Sequence, residues 1–79
     1  EVEFSFEADL IRFGKVVKGL RKSHTMTQLH LASQCDLDIR TVQRIEKGEF
    51  NPSLKVLLRL AKAFDMPISQ LLKSIEPPY

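Results

Sequence analysis

Apolar residues of this 79-residue chain recur at spacings of three and four in short blocks, each closed off by a capping residue or a turn. Leu10, Phe13, Val17 and Leu20 form the first block, Leu31, Ala32 and Cys35 the second, and Val42 and Ile45 the third. Leu54, Leu57, Leu58, Ala61 and Phe64 form the fourth, and Leu71 and Leu72 the last. A period near 3.6 means helices with one apolar stripe each. Helices this short do not stand alone in water, so their stripes have to meet in one shared core. A single cysteine rules out an intramolecular disulfide, and the core has to supply the stability of one small domain. A composition of 43% apolar and 28% charged residues suffices for that.

Local chemistry places the boundaries. The first helix begins at Asp9, with Arg12, Lys15, Lys18 and Lys22 on its wet side, and Ser23 to Met26 break it. Gly14 and Gly19 each weaken a helix by roughly 1 kcal/mol relative to Ala, so close packing is the expected reason for at least one of them. Thr27 caps a short helix over 28–35. Asp36 and Leu37 make a tight turn, and Asp38 caps a helix over 39–47 that Gly48 ends in the left-handed conformation. Glu49 to Pro52 is a loop, Ser53 caps a helix over 54–64, and Asp65-Met66-Pro67 leads into a last helix from Ile68 to about Lys73.

The N-terminus obeys another period. Val2, Phe4 and Phe6 alternate with polar residues, the pattern of a strand with one apolar face. No other segment offers a partner strand, so three readings stay open: pairing with the same segment of a second subunit, an extended arm against the helices, or a frayed end. The first makes Val2, Phe4 and Phe6 dimer contacts, to be lost on deleting residues 1 to 7. The division is then an acidic arm or strand over 1–8, a helical domain over 9–74 and a tail over 75–79. Glu1 in place of Met points to a trimmed chain or part of a longer one.

The formal net charge of +2 is a cancellation. Glu1, Glu3, Glu7 and Asp9 make the first nine residues −4, while residues 10 to 62 hold eleven bases against Asp36, Asp38, Glu46 and Glu49. A basic segment of that density suits a polyanion partner, because Lys and Arg that neutralise phosphates release condensed counterions. If the acidic arm competes with phosphate, removing it tightens non-specific binding. No apolar run approaches the roughly 20 residues of a membrane span, and the acidic start does not fit a signal peptide. A soluble, cytoplasmic protein without membrane partner is expected.

Two short helices joined by about three residues, the second with an outward polar face, describe a helix-turn-helix. Ala32 is small where the second helix crosses it, Leu37 fills the space beneath the turn, and Val42 and Ile45 pin the second helix. Ile39, Arg40, Gln43, Arg44 and Lys47 are left facing out. Thr27-Gln28, Leu31-Ala32, Thr41-Val42, Arg44-Ile45-Glu46-Lys47-Gly48, Asn51-Pro52-Ser53-Leu54 and Leu60-Ala61-Lys62-Ala63 resemble the DNA-binding domain of the Cro/C1-type (Xre) helix-turn-helix family. The resemblance runs without gaps from about Phe13 to Leu72. It implies an all-α fold, a compact five-helix bundle of the lambda-repressor-like type, and a transcriptional regulator, bacterial or phage-encoded, that binds operators as a dimer. It also implies an ion pair between Arg21 and Glu46, which makes Glu46 structural. Asp36 and Asp65 stand where the family commonly has glycine, and Leu29 and His30 where charged residues are common.

Arg40, early in the groove-facing helix, can donate twice to guanine O6 and N7. Arg44 reaches a base or a phosphate. Ile39 packs on a thymine methyl or serves as a helix-start staple, and Gln43 meets base or backbone. Gln28 is counted with these base contacts, and the resemblance also gives it a phosphate contact and a buttressing role toward the second helix. Thr27 is most simply a cap, also placed to meet phosphate, and Lys47, Asn51 and Ser53 form a second phosphate clamp.

Cys35 reads as a buried thiol, and His24 and His30 have no acid partner. Neither a metal set, a carboxylate pair nor a triad stands out, so no enzyme, metal or cofactor is expected. The second hypothesis is a protein-interaction module, antitoxin-like, motivated by the outward Leu29 and the apolar face of the N-terminal strand. Co-purification of a stoichiometric partner without DNA affinity would favour it.

Overall fold

The computed structural model describes residues 6 to 75. Among them are five α-helices: α1 (Phe6–Ser23), α2 (Gln28–Gln34), α3 (Ile39–Lys47), α4 (Leu54–Ala63) and α5 (Ile68–Leu72), followed by a 3-10 turn over Lys73–Ile75. The start of α1 differs from the expected one. Phe6 to Ala8 are helical, so the last residue of the alternating segment belongs to α1, where Phe6 is 77% exposed. Glu7 and Asp9 fall in the first turn, where carboxylates complement the positive end of the helix dipole. Val2 and Phe4 lie outside the described residues.

The capping residues read from the sequence are in place. Thr27 Oγ1 accepts from the His30 N–H at 3.0 Å, Asp38 accepts from the Arg40 N–H, and Ser53 Oγ accepts from the Val56 N–H at 3.2 Å. The opposite ends of the first four helices share one closure. In each, the residue after the last turn is left-handed: Thr25 (φ 55°), Asp36 (φ 53°), Gly48 (φ 77°) and Asp65 (φ 54°). The next N–H then reaches back five residues, from Met26 to the Arg21 carbonyl, Leu37 to Ala32, Glu49 to Arg44 and Met66 to Ala61. This closure satisfies carbonyls that the helix leaves open. Asp tolerates the conformation better than most residues. Thr25 is β-branched and does not, which is why the sequence showed a break there and no left-handed turn.

The core joins all five helices. Phe13 and Val17 from α1, Leu31 and Ala32 from α2, Val42 and Ile45 from α3, Leu60 and Ala61 from α4 and Leu71 from α5 are buried, with Cys35 and Phe64 at the ends of α2 and α4. Each large side chain in this set contributes on the order of 1.5–3 kcal/mol by leaving water. The stripe of α4 is a correction. Leu54 and Leu58, expected inside, are 65% and 45% exposed, and the buried line runs through Val56, Leu60 and Ala61 with Leu57 half-buried beside it. Seven of the ten residues of α4 are apolar, so more than one stripe satisfies the period. Ile11, read as neither core nor site, is 45% exposed, and its backbone lies against Gly48.

Gly14 sets how closely α1 approaches α3. A Cβ there would fall on the carbonyl oxygen of Ile45 and within 2.8 Å of that of Glu46. A Cβ on Gly19 would meet nothing within 4 Å. Close packing therefore explains the first glycine, and nothing in the structure explains the second.

Candidate nucleic-acid interface

Only Val42 and Ile45 of α3 are fully buried, and its remaining orientation is held by polar contacts. Arg21, on α1, donates from Nε to Glu46 Oε2 at 2.6 Å and from Nη2 to Glu46 Oε1 at 3.2 Å, a two-pronged pair. The side chains are 10% and 4% exposed. Its third donor, Nη1, reaches the Met26 carbonyl at 2.8 Å, just before α2. A planar guanidinium suits this use, because three fixed donors tie α1, α3 and the entry to α2 together at once.

The network continues outward. Gln28, at the start of α2, donates from Nε2 to Glu46 Oε1 at 3.0 Å, and Gln43 donates from Nε2 to Gln28 Oε1 at 3.4 Å. The carboxylate of Glu46 thus serves α1 and α2 together, and Gln28 bridges it to the outward row. Glu46 is structural, in contact with scaffold groups on both oxygens.

The outward row is not uniform. Arg40 is exposed, and Ile39 is half-buried against the core. Arg44 is exposed but oriented. Its guanidinium lies 5.4 Å from the centre of the Phe50 ring and donates to the Glu49 carbonyl at 3.3 Å. Sequence reasoning missed Phe50, which it read as loop. The available signal was an aromatic residue in a polar turn one short reach beyond an arginine, the arrangement of a cation–π contact.

Lys47 is exposed and lines an open cleft of about 320 Å3 with Lys18, Gln28, Gln43 and Glu46. Lys18 was assigned to the wet side of α1. It is four residues after Gly14 and three before Arg21, both of which touch α3, and that spacing puts it on the same helix face. Asn51 is exposed and lines a separate, apolar cleft of about 220 Å3 with Leu10, Phe13 and Leu72 among others. Asn51 and Lys47 thus line two different clefts among the described residues. The Thr27 and Ser53 side-chain oxygens are both used as caps. Cys35 is buried, its thiol near the Arg59 carbonyl at 3.7 Å, and burial pushes the thiol up from its ordinary pKa, partly offset by Arg59. That is the setting of an inert core thiol. No helix among the described residues is long and apolar enough to cross a membrane.

The sequence profile of a family described as Helix-turn-helix matches residues 17–71. The crystal structure of the restriction-modification controller protein C.AhdI from Aeromonas hydrophila superposes with a TM-score of 0.78 at 38% identity, covering 81% of this chain and 97% of that one. The control protein C.MunI of a Mycoplasma species is 39% identical over 67 residues, which is 84% of this chain and 90% of that protein. A protein of Pyrococcus horikoshii, named as an HTH-type transcriptional regulatory protein, is 42% identical over 55 residues. That match covers 70% of this chain but only 18% of the archaeal protein.

Proposed function

The chain belongs to the Cro/C1-type helix-turn-helix family of DNA-binding transcriptional regulators, and from that premise we propose that it binds duplex DNA sequence-specifically, with α3 in the major groove, as a twofold dimer on a palindromic operator. The observation that carries this reading is the hold on α3. Arg21 and Glu46 are taken up by contacts within the scaffold and Gln28 bridges Glu46 to Gln43, while Arg40 is exposed at the leading end of the helix. Arg40 reads a guanine through O6 and N7, and Ile39 meets an adjacent thymine methyl. Gln43 contacts base or backbone beside them. Arg44, turned toward Phe50, meets backbone phosphate or a base at the far end of the helix. Gln28, Thr27, Lys47, Asn51 and Ser53 fix the register through phosphates.

One small domain makes few base contacts, so two copies on half-sites about one helical turn apart are needed for specificity. Leu54 and Leu58, exposed one turn apart on α4, are apolar surface that a second copy would cover. The likeness to the restriction-modification controller protein C.AhdI and to the control protein C.MunI along most of their length supports a controller of that kind among regulators. The experiment is selection from a randomised duplex pool. The parent enriches a two-fold symmetric site, and Arg40→Ala relaxes one base pair in each half. A pool that enriches nothing at low salt, with Arg40→Ala binding like the parent, would sink the reading.

A further inference from the structure

The concavity between α1 and α3 has an unusual balance of charge. Glu46 is among its lining residues, its carboxylate already engaged by Arg21 and Gln28 and only 4% of its side chain exposed. Lys18 and Lys47, from two different helices, are among the residues that line it. Both lysines are exposed. The close approach of α1 to α3 at Gly14 brings the two walls together.

We propose that this cleft seats one phosphodiester of the DNA backbone, gripped from α1 by Lys18 and from α3 by Lys47. The inference deepens the DNA-binding reading and rests on it. A phosphodiester fits because it is a compact monoanion whose oxygens accept from both ammonium groups and from the amide N–H groups of Gln28 and Gln43 at the cleft wall. The Glu46 carboxylate does not repel it, since Arg21 neutralises that charge from below. Lys18 thereby extends the DNA contact from the helix-turn-helix to the first helix, and α1 becomes a positioning element that sets the depth of α3 in the groove.

The test is the salt dependence of duplex binding, combined with single uncharged methylphosphonate substitutions along the selected site. Lys18→Ala weakens the selected site and unrelated duplex by the same factor and lowers the slope of log K against log salt by about 0.9, the loss of one phosphate contact. Lys18→Arg keeps the slope, and so does Lys62→Ala, a change on α4 outside the cleft. One methylphosphonate position weakens the parent more than it weakens either Lys18→Ala or Lys47→Ala, because each variant has lost one of that phosphate's contacts. A Lys18→Ala variant with the full parental slope overturns the seat, as do Lys18 and Lys47 variants that go blind to different phosphates. A parent that binds no duplex takes the DNA reading down with it, whereas a binding parent with an indifferent Lys18 removes the seat alone.

Discussion

Helices α3 and α4 are nearly the same length, nine and ten residues, and are held in opposite ways. In α3 two apolar residues are buried, with Ile39 half-buried beside them, and the rest of the seat is polar: a charged pair, an amide bridge and the carbonyls that rest on Gly14. In α4 seven of ten residues are apolar, and the fold uses one stripe and leaves Leu54 and Leu58 outside. Scarcity of apolar residues specifies orientation, because only one face can go in. Abundance blurs it, and the surplus leucines become surface. A helix with an exposed polar row gains from the first arrangement, since the row then stands at a defined angle.

The largest effect expected from breaking this contrast comes from Arg21→Ala. It leaves the Glu46 carboxylate buried without its cation, which costs about 3–5 kcal/mol, readable as a fall in the urea midpoint. A loss below about 1 kcal/mol would mean that α3 is held by its two apolar residues after all. Next, Leu60→Ala should cost about 2–5 kcal/mol and Leu58→Ala no more than about 0.5. The reverse order in thermal melts would show that the buried stripe of α4 runs through the leucines read from the sequence.

The glycines of α1 sharpen the comparison at a smaller scale. Gly14→Ala drives a methyl into backbone oxygens of α3 and should destabilise by roughly 1–3 kcal/mol. Gly19→Ala meets open space and should stabilise by roughly 0.5–1 kcal/mol. Equal signs in the two unfolding curves would show that Gly14 does not set the α1–α3 distance. Smallest is Asp36→Gly, which relieves a left-handed backbone. It should raise the melting temperature by the equivalent of up to about 1 kcal/mol, the left-handed penalty less the entropy that glycine returns to the unfolded chain. A lowered melting temperature would mean that the Asp side chain contributes more there than its backbone strain removes.

Legibility in the sequence followed the same physics. The limits of α3 and the starts of α2, α4 and α5 were readable because caps and turn residues act locally. Phe13, Val17, Leu31, Ala32, Val42 and Ile45 were readable as core because their helices carry few alternatives. The α4 stripe was not, for the reason given above. Period and spacing could not pair Arg21 with Glu46, which lie 25 residues apart, and that pairing entered only through family resemblance. Lys18 and Phe50 escaped because their roles depend on a neighbouring helix or loop, and no single-segment pattern encodes that. The start of α1 was displaced by an alternating run that continues into its first residue.

The repeated closure of the helix ends has an evolutionary reading. Three of the four left-handed stops, at Thr25, Asp36 and Asp65, are made by residues other than glycine, and all three lie outside α3. Thr25 holds its conformation at a penalty of roughly 1–2 kcal/mol, and the two Asp residues at a smaller one. Replacing any of them by glycine would release stability outside α3. A lineage could draw on that margin to tolerate destabilising changes in the exposed row of α3, so the ends of the scaffold helices give a chain of this size room to vary that row.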